Sequence, residues 1–444
     1  MARKVSIRAT LTVPGDKSIS HRALIFSTLC RGTVIIKGLS PAEDCQSTLE
    51  CLAKLGVKST KIAPTVENPA LAECILESPG LDGLAQPKEV LNAGNSGTTM
   101  RLLSGLVAGR PFTTRFDGDA SLRMRPMSRV LLPLYEMGAQ VHYQSSQDMA
   151  PVSDTAPFSI TGGNLKGSEF VLKVASAQVQ TCILLAGLQA DGKTTVTMPA
   201  FVRDHTERMF EYIKVPFGRR DNGSIEVTRL VKPLAPYEVT VPGDLSSAAF
   251  FIVAAACLPG SDLLLKNVGL NPGRKLVIDV LQRMGAEIIF EDIREAYCEP
   301  VADIRVRYKG RLKGVTVSGE EVASGIDEIP ILALAGCTCE GTFVVRGAEE
   351  LRHKESDRLK AMVENIQDMG ITVENLEDGF IIDGVPNVPG ASLWRTYNDH
   401  RMAMTGLIAN CLSEEPIQLE ETGSIKISYP RFEDQLALLV DNKA

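Results

Sequence analysis

The chain has 444 residues, 44% of them apolar and 23% charged, with a formal net charge of −7. At roughly 100–200 residues per domain this length requires more than one hydrophobic core, and the composition excludes a fibrous or disordered chain. The acidic balance excludes a surface spread out for nucleic acid, so an anionic ligand has to be met by local clusters of cations.

Arg3, Lys4 and Arg8 are followed by no apolar run of the kind a secretory signal needs, so the chain is expected in the cytoplasm. Val13-Pro14-Gly15-Asp16-Lys17-Ser18 then opens a helix, Ser18 to Cys30, that is apolar nearly all round. A strand over Thr33 to Lys37 leads to Ser40-Pro41-Ala42-Glu43, which has the N-cap, first-turn proline and capping-box glutamate of an amphipathic helix closing at Gly56. Ser96 to Leu106 is a second apolar helix. Arg110, Arg115, Arg123, Arg125 and Arg129 crowd the region where the next amphipathic helix begins, Pro126 to Gly138, with Pro133 inside it. Ser176 to Leu188 is a third apolar helix, Thr194 to Met198 a strand, and Thr206 to Val215 a short amphipathic helix.

Val241-Pro242-Gly243-Asp244-Leu245-Ser246 repeats the first motif, and again an apolar helix follows, Ser246 to Leu258. Its strongly apolar part, Ala248 to Leu258, is well short of the roughly 18 residues of a membrane span. Asn271-Pro272 opens an amphipathic helix that turns Leu276, Val280 and Met284 inward and stops at Gly285, where a left-handed C-cap is wanted. Asp327 to Cys337 and Asn398 to Cys411 are the last apolar helices, separated by a strand at Thr342 to Val345 and an amphipathic helix at Glu355 to Gly370; Arg431 to Val440 closes the chain. The ten cysteines stand singly apart from Cys337 and Cys339, which gives buried free thiols and no metal site.

Helices that are apolar all round belong in a core. Six of them, alternating with amphipathic helices and short strands, read as six repeats of one α/β unit and an α/β (α+β) fold. If the duplicated motif marks two crossings, residues 1–18 and 241–444 form one discontinuous domain and residues 19–240 an inserted second one, with three units in each.

Each apolar helix starts with polar residues: Asp16-Lys17-Ser18, Asn95-Ser96-Gly97-Thr98, Ser176-Ala177-Gln178, Ser246-Ser247, Asp327-Glu328 and Asn398-Asp399-His400-Arg401. Taken singly, the Ser, Asn and Asp residues are N-caps, worth roughly 1 kcal/mol each, and Ser246 and Ser247 are read that way. Lys17 and Arg401 are not, because a cation at a helix N-terminus opposes the dipole and calls for an anion beside it. Gly97 between small hydroxyl residues lets backbone amides approach a phosphate or carboxylate, whereas Thr99, Met100 and Arg101 read as ordinary helix residues. Arg125 is the best ligand candidate in the arginine-rich stretch, since guanidinium groups suit bidentate anion recognition. Lys354 and Arg358 lie four apart with no acid directly between them, so both face one anion, and Glu355 beside them is placed for proton transfer. His21, His142 and His205 read as core or surface histidines; His400, between Asp399 and Arg401, reads as a catalytic or orienting group.

Together, Gly15-Asp16-Lys17-Ser18-Ile19-Ser20-His21-Arg22, Asn95-Ser96-Gly97-Thr98, Arg123-Met124-Arg125-Pro126-Met127, Ser176-Ala177-Gln178, Lys354-Glu355-Ser356-Asp357-Arg358 and Asn398-Asp399-His400-Arg401-Met402-Ala403 closely resemble the 5-enolpyruvylshikimate-3-phosphate synthase family of enolpyruvyl transferases, nearly end to end. The resemblance implies a two-domain inside-out α/β barrel with buried helices and outer sheets, and an active site in the cleft between the domains. It implies transfer of the enolpyruvyl group of phosphoenolpyruvate to shikimate 3-phosphate by a monomer, with no cofactor, no metal, no nucleic acid and no membrane. By resemblance Lys17 touches both substrates. Ser18, Arg22, Ser176, Gln178, Arg203, Asp327 and Lys354 hold shikimate 3-phosphate, and Gly97, Arg125, Gln178, Arg358 and Arg401 hold phosphoenolpyruvate. Asp327 orients or deprotonates the attacking hydroxyl, and Lys17 and Glu355 handle the proton at the enol methylene, with His400 nearby. Gly97 leaves room for glyphosate beside Arg125.

The chain departs from the family where Ile427 stands in place of a lysine, with Lys426 one residue earlier, and where Val202 replaces a serine ahead of Arg203. Two alternatives have their own signatures. A transferase acting on UDP-N-acetylglucosamine carries a reactive cysteine that 110–129 lacks, and a non-catalytic binding protein needs none of Lys17, Asp327 and Glu355 together.

Overall fold

The computed structural model describes residues 5–62, 73–143 and 154–441. Contacts divide the chain into a discontinuous unit, Met1–Asp16 with Pro242–Ala296 and Pro300–Ala444, and an inserted unit, Lys17–Val241 with a three-residue return, Tyr297–Glu299. Lys17 and Ser18 therefore lie with the inserted unit.

After β1 (Arg8–Leu11), the inserted unit runs α1 (Lys17–Phe26), β2 (Arg31–Lys37), α2 (Glu43–Lys54), β3 (Lys58–Ile62) and β4 (Glu73–Pro79). Its second repeat is β5 (Leu91–Asn92), α3 (Gly97–Ala108), β6 (Thr113–Asp117), α4 (Ser128–Glu136), β7 (Gln140–Tyr143) and β8 (Phe158–Thr161). Its third is β9 (Glu169–Val171), α5 (Ala177–Gly187), β10 (Lys193–Thr197), α6 (His205–Tyr212), β11 (Phe217–Arg219) and β12 (Ile225–Thr228), followed by β13 (Glu238–Thr240). The discontinuous unit continues with α7 (Leu245–Cys257), β14 (Asp262–Gly269), α8 (Leu276–Arg283), β15 (Glu287–Ala296) and β16 (Glu299–Arg307). Then come β17 (Thr316–Val317), α9 (Glu320–Ala323), α10 (Ile329–Thr338), β18 (Thr342–Val345), α11 (Arg358–Asp368), β19 (Val373–Asn375), β20 (Phe380–Asp383), α12 (His400–Leu412) and α13 (Phe432–Asp441).

Among the described residues the strands form five four-stranded sheets of one design. The strand after each buried helix pairs parallel with a short edge strand, as β6 does with β5, and antiparallel with the far arm of a hairpin, as β6 does with β8. Two edge strands are exchanged: β1 leads into α1 but pairs with β14, and β13 leads into α7 but pairs with β2. The duplicated Val-Pro-Gly-Asp motif is where this exchange happens. In the discontinuous unit its two copies pair backbone to backbone, Asp16 N donating to Pro242 O at 2.8 Å and Asp244 N to Pro14 O at 2.9 Å. The sixth repeat, around α12, has only the isolated bridges Val388–Ser413 and Trp394–Leu419. Pro386, Pro389 and Pro416 fall in its strand positions and supply no ladder N–H.

Each unit has its own core, built on the apolar helices. α7 is buried from Leu245 through Ala256, each fully buried large side chain contributing about 1.5–3 kcal/mol. In the inserted unit α3 and α5 approach closely because Gly105 lacks a side chain, a Cβ there landing 2.1 Å from Cys182 O. Among the described residues no helix is long and apolar enough to cross a membrane.

Several helix starts differ from the sequence expectation. Asp244, not Ser246 or Ser247, caps α7, accepting from Ser246 N at 3.0 Å. α2 starts at Glu43 after an Ala42 that offers no side-chain cap, so the Ser40 capping box does not form. Asp327 lies in a 3-10 turn, Ile326–Glu328, ahead of α10, where Pro330 sits in the first turn as its missing N–H favours. α4 starts at Ser128, leaving Arg125 at the end of a 3-10 turn over Leu122–Met124. α11 starts only at Arg358, capped by Asp357, so Lys354 and Glu355 stand in the turn before it.

Candidate active site

In the inserted unit the N-terminal ends of α1, α3 and α5 carry linked polar side chains. Lys17 Nζ lies 2.9 Å from Asp44 Oδ2 on α2, and Asp44 O accepts from Thr99 Oγ1 at 3.3 Å on α3. Ser96 caps α3 through Thr99 N, and Ser176 caps α5 through Val179 N. Gln178 bridges the two helices, Nε2 donating to Thr98 Oγ1 at 2.8 Å and Oε1 accepting from Arg101 Nη1 at 2.7 Å. A Cβ on Gly97 would lie 3.1 Å from Arg101 Nη1 and 3.6 Å from Arg125 Nη1, so the bare backbone there faces two guanidinium groups. Arg125 is held by Asn95 Oδ1 at 2.7 Å and Ser121 Oγ at 3.2 Å. Gly97, Thr98, Arg101, Arg125 and Gln178 thus form one cluster, and Arg101 is a member that the sequence reading passed over as an ordinary helix residue.

Other arginines of the basic stretch are structural. Arg123 makes a two-pronged pair with Asp117, and Arg110 binds Gln189 and Asp82. Arg22 is 1% exposed and spends its guanidinium on Thr206 Oγ1 (2.8 Å), Ser18 O (3.0 Å), Thr181 Oγ1 (3.0 Å) and Ala177 O (3.4 Å), tying α1 to α5 and α6. Ser18 and Arg203 are half-buried. His21 is a core residue, its Nδ1 against Thr48 Oγ1 at 2.7 Å, and His205 is buried against Glu299.

In the discontinuous unit the polar group is dominated by acids. Arg358 is 1% exposed and is gripped by three carboxylates: Nε and Nη2 donate to Asp399 (2.8 and 3.2 Å), Nη2 to Glu355 (2.7 Å) and Nη1 to Asp327 (3.0 Å). Burial works against its charge, but Asp399, Glu355 and Asp327 outweigh burial and hold the guanidinium above its ordinary pKa. Asp399, fully buried, is conversely pushed up by burial yet held below the usual carboxylate range by Arg358. It also accepts from Ser356 Oγ at 3.0 Å and caps α12 through Arg401 N at 2.8 Å. Lys354 Nζ lies 3.2 Å from Asp327 Oδ1, so an acid does stand between Lys354 and Arg358, contrary to the expectation from their spacing. Arg401 Nη1 donates to Asp327 O at 2.9 Å and lies 3.5 Å from Glu328 Oε1. His400 is buried 4.0 Å from Asp399, and Lys426 is exposed in a 3-10 turn.

The cations at Lys17 and Arg401 therefore already have protein anions beside them, Asp44 and Glu328, where the sequence reading reserved that place for a ligand. The two groups differ in balance. In the first, Lys17 pairs with Asp44 and Arg22 lies near Glu207, while Arg101 and Arg125 are held by the neutral side chains of Gln178, Asn95 and Ser121; in the second, Lys354, Arg358 and Arg401 are set among Asp327, Glu328, Glu355 and Asp399. The first suits multiply charged anions, and the second suits proton transfer and stabilisation of developing positive charge. Among the described residues no group of three or more His, Cys, Asp or Glu side chains is gathered as a metal site would require.

The family model of EPSP synthase (3-phosphoshikimate 1-carboxyvinyltransferase) matches residues 2–436. The chain is 44% identical over 435 residues to a 3-phosphoshikimate 1-carboxyvinyltransferase of Alkaliphilus metalliredigens, covering 98% of each chain. It is 41% identical over 431 residues to that of Bacillus subtilis, covering 97% of each. An EPSP synthase structure from Acinetobacter baumannii superposes with a TM-score of 0.84 at 39% identity, over 98% of this chain and 96% of that one. The enolpyruvyl transferase NikO from Streptomyces tendae, at 16% identity and a TM-score of 0.77 over 99% of this chain and 96% of its own, shares the fold.

Proposed function

The chain belongs to the EPSP synthase (3-phosphoshikimate 1-carboxyvinyltransferase) family, and from that premise we propose how its two polar groups carry out the reaction. The activity is transfer of the carboxyvinyl group of phosphoenolpyruvate to the 5-hydroxyl of shikimate 3-phosphate, releasing phosphate, in the shikimate pathway. Each phosphate brings roughly −1.5 to −2 charges. The cation-rich cluster of the inserted unit is where that charge is best met, which is the observation that carries the assignment of roles.

Gly97, Arg125 and Gln178, with Arg101 added, take the phosphoenolpyruvate end, together with Arg401. Ser18, Ser176, Gln178, Arg203 and Lys354 take shikimate 3-phosphate, and Lys17 reaches both. Arg22, buried and bound on several sides, acts by fixing Ser18, and Arg358 both fixes Asp327, Glu355 and Asp399 and joins Arg401 at the phosphoenolpyruvate end. The 5-hydroxyl oxygen adds to C2 of phosphoenolpyruvate while Asp327 takes its proton and C3 gains one, giving a tetrahedral phospho-ketal. The C2–O bond to phosphate then breaks and a methyl proton leaves C3, restoring the double bond in the product. Lys17 and Glu355 share the proton traffic at C3 with His400 alongside, and the carboxylates of Asp327 and Glu355 offset the positive charge that develops at C2. The reaction runs in the cytoplasm, on a monomer, with no cofactor or metal.

The test is phosphate release by the purified chain. It should require both phosphoenolpyruvate and shikimate 3-phosphate, and activity with UDP-N-acetylglucosamine as the acceptor instead would overturn the assignment.

A further inference from the structure

The residues leading into α12 run antiparallel along α11 and are laced to it at every step. Asp368 pairs with Arg395. Asn365, fully buried, holds the Arg395 backbone on both sides, accepting from N at 2.8 Å and donating to O at 2.9 Å. Glu364 accepts from the Tyr397 hydroxyl, and Arg358, the first residue of α11, binds Asp399. Between the last two links the chain reverses in a tight turn closed by Asp399 N donating to Thr396 O at 2.9 Å. Its two central residues, Tyr397 and Asn398, have φ of 53° and 54°. Two consecutive left-handed residues are the requirement of a mirror-image turn that Asn-Gly fills without strain, and a tyrosine in the first place has to be held there. Glu364 is what holds it.

The turn delivers Asp399 with one carboxylate aimed two ways, at the Arg358 guanidinium and at Arg401 N on the first turn of α12. Single left-handed residues also occur at Lys214, Asn267, Asp292 and Tyr297, but Tyr397–Asn398 is the one consecutive pair among the described non-glycine residues, and strain placed where it aims a site carboxylate points to a function for the strain. We propose that Tyr397 is a positioning residue for the reaction: its bond to Glu364 holds the left-handed turn and thereby keeps Arg358 and Arg401 in register for phosphoenolpyruvate. The proposal rests on assigning those arginines to the phosphoenolpyruvate end of the site.

Steady-state kinetics with each substrate varied in turn test it. Tyr397→Phe removes the hydroxyl and keeps the ring. It should raise KM for phosphoenolpyruvate about tenfold, as loss of one hydrogen bond to a charged partner does, with KM for shikimate 3-phosphate and the thermal midpoint nearly unchanged. Glu364→Gln keeps an acceptor and should behave like the parent. Glu364→Ala should match Tyr397→Phe, and the double variant should be no worse than either single one, because both remove the same link. Equal rises in both KM values, or a lowered thermal midpoint with unchanged KM values, would overturn the proposal. Arg401→Lys separates the two claims: if it leaves KM for phosphoenolpyruvate unchanged, the site assignment fails, whereas if it raises that KM and Tyr397→Phe does not, only the role of Tyr397 fails.

Discussion

Asp399→Ala is the most informative perturbation of the discontinuous unit. The substitution removes both oxygens that bind Arg358 at 2.8 and 3.2 Å, the cap on Arg401 N at 2.8 Å and the acceptor for Ser356 at 3.0 Å. Breaking a buried ion pair from one side costs about 3–5 kcal/mol, and loss of an N-cap about 1 kcal/mol. Asp327 and Glu355 still hold Arg358, which limits the total to about 4 kcal/mol. Trp394 reports the result. It is the only tryptophan in the sequence, it is fully buried in the same unit, and its Nε1 donates to Met402 O on α12 at 2.9 Å. With a denaturant slope of about 2–3 kcal/mol per molar, urea unfolding followed by its fluorescence should show a midpoint lower by about 1.5 M. Asp399→Asn, which keeps a capping oxygen, should fall by about half as much. Midpoints for both variants within about 0.2 M of the parent would refute the view that this carboxylate organises the unit.

Gly97→Ala puts a methyl group 3.1 Å from Arg101 Nη1, whose bond to Gln178 keeps it from yielding freely. It should raise KM for phosphoenolpyruvate by about tenfold, or about 1.4 kcal/mol. Inhibition by glyphosate, proposed to occupy the same place, should weaken with it, and unchanged inhibition would count against that placement. Arg101→Gln, in the cluster with Gly97, should likewise raise KM for phosphoenolpyruvate while leaving the fold intact by circular dichroism. Stability should also depend on acidity. Because the folded pKa of Asp399 is depressed, its contribution is complete above the unfolded value near 3.9 and is lost as pH falls through the folded value. The Trp394 urea midpoint should therefore drop below about pH 4, and Asp399→Ala should flatten that drop.

Much of the architecture is legible in the chain because its helices announce themselves by composition. Segments such as Ala248 to Ala256 have no polar face, and a helix of that kind has only a core to go to. The repeat is equally plain in the two Val-Pro-Gly-Asp motifs. That the sixth repeat has isolated bridges in place of a sheet among the described residues is legible only from Pro386, Pro389 and Pro416 in its strand positions. Within the candidate site, residue types and local spacing point to Lys17, Gly97, Arg125 and Glu355, while the role of Asp327 comes from the family resemblance. Arg101 was passed over because one arginine a turn inside an apolar helix looks like any other, and its distinction is a bond to Gln178, 77 residues away. The supporting roles of Arg22 and Arg358 were hidden for the same reason, since their partners Thr206 and Asp399 lie 184 and 41 residues along the chain. Local spacing also misjudged Lys354 and Arg358, because the acid that joins them, Asp327, comes from another element.

The chemistry assigned to these residues is tested most directly by rapid quenching of a single turnover, with the chain in excess over phosphoenolpyruvate and shikimate 3-phosphate. The expected result is a transient species containing the carbon skeletons of both substrates and the phosphate, formed while the protein keeps its original mass. A chain that gains the mass of an enolpyruvyl or phosphoryl group during that turnover would contradict direct addition of one bound substrate to the other.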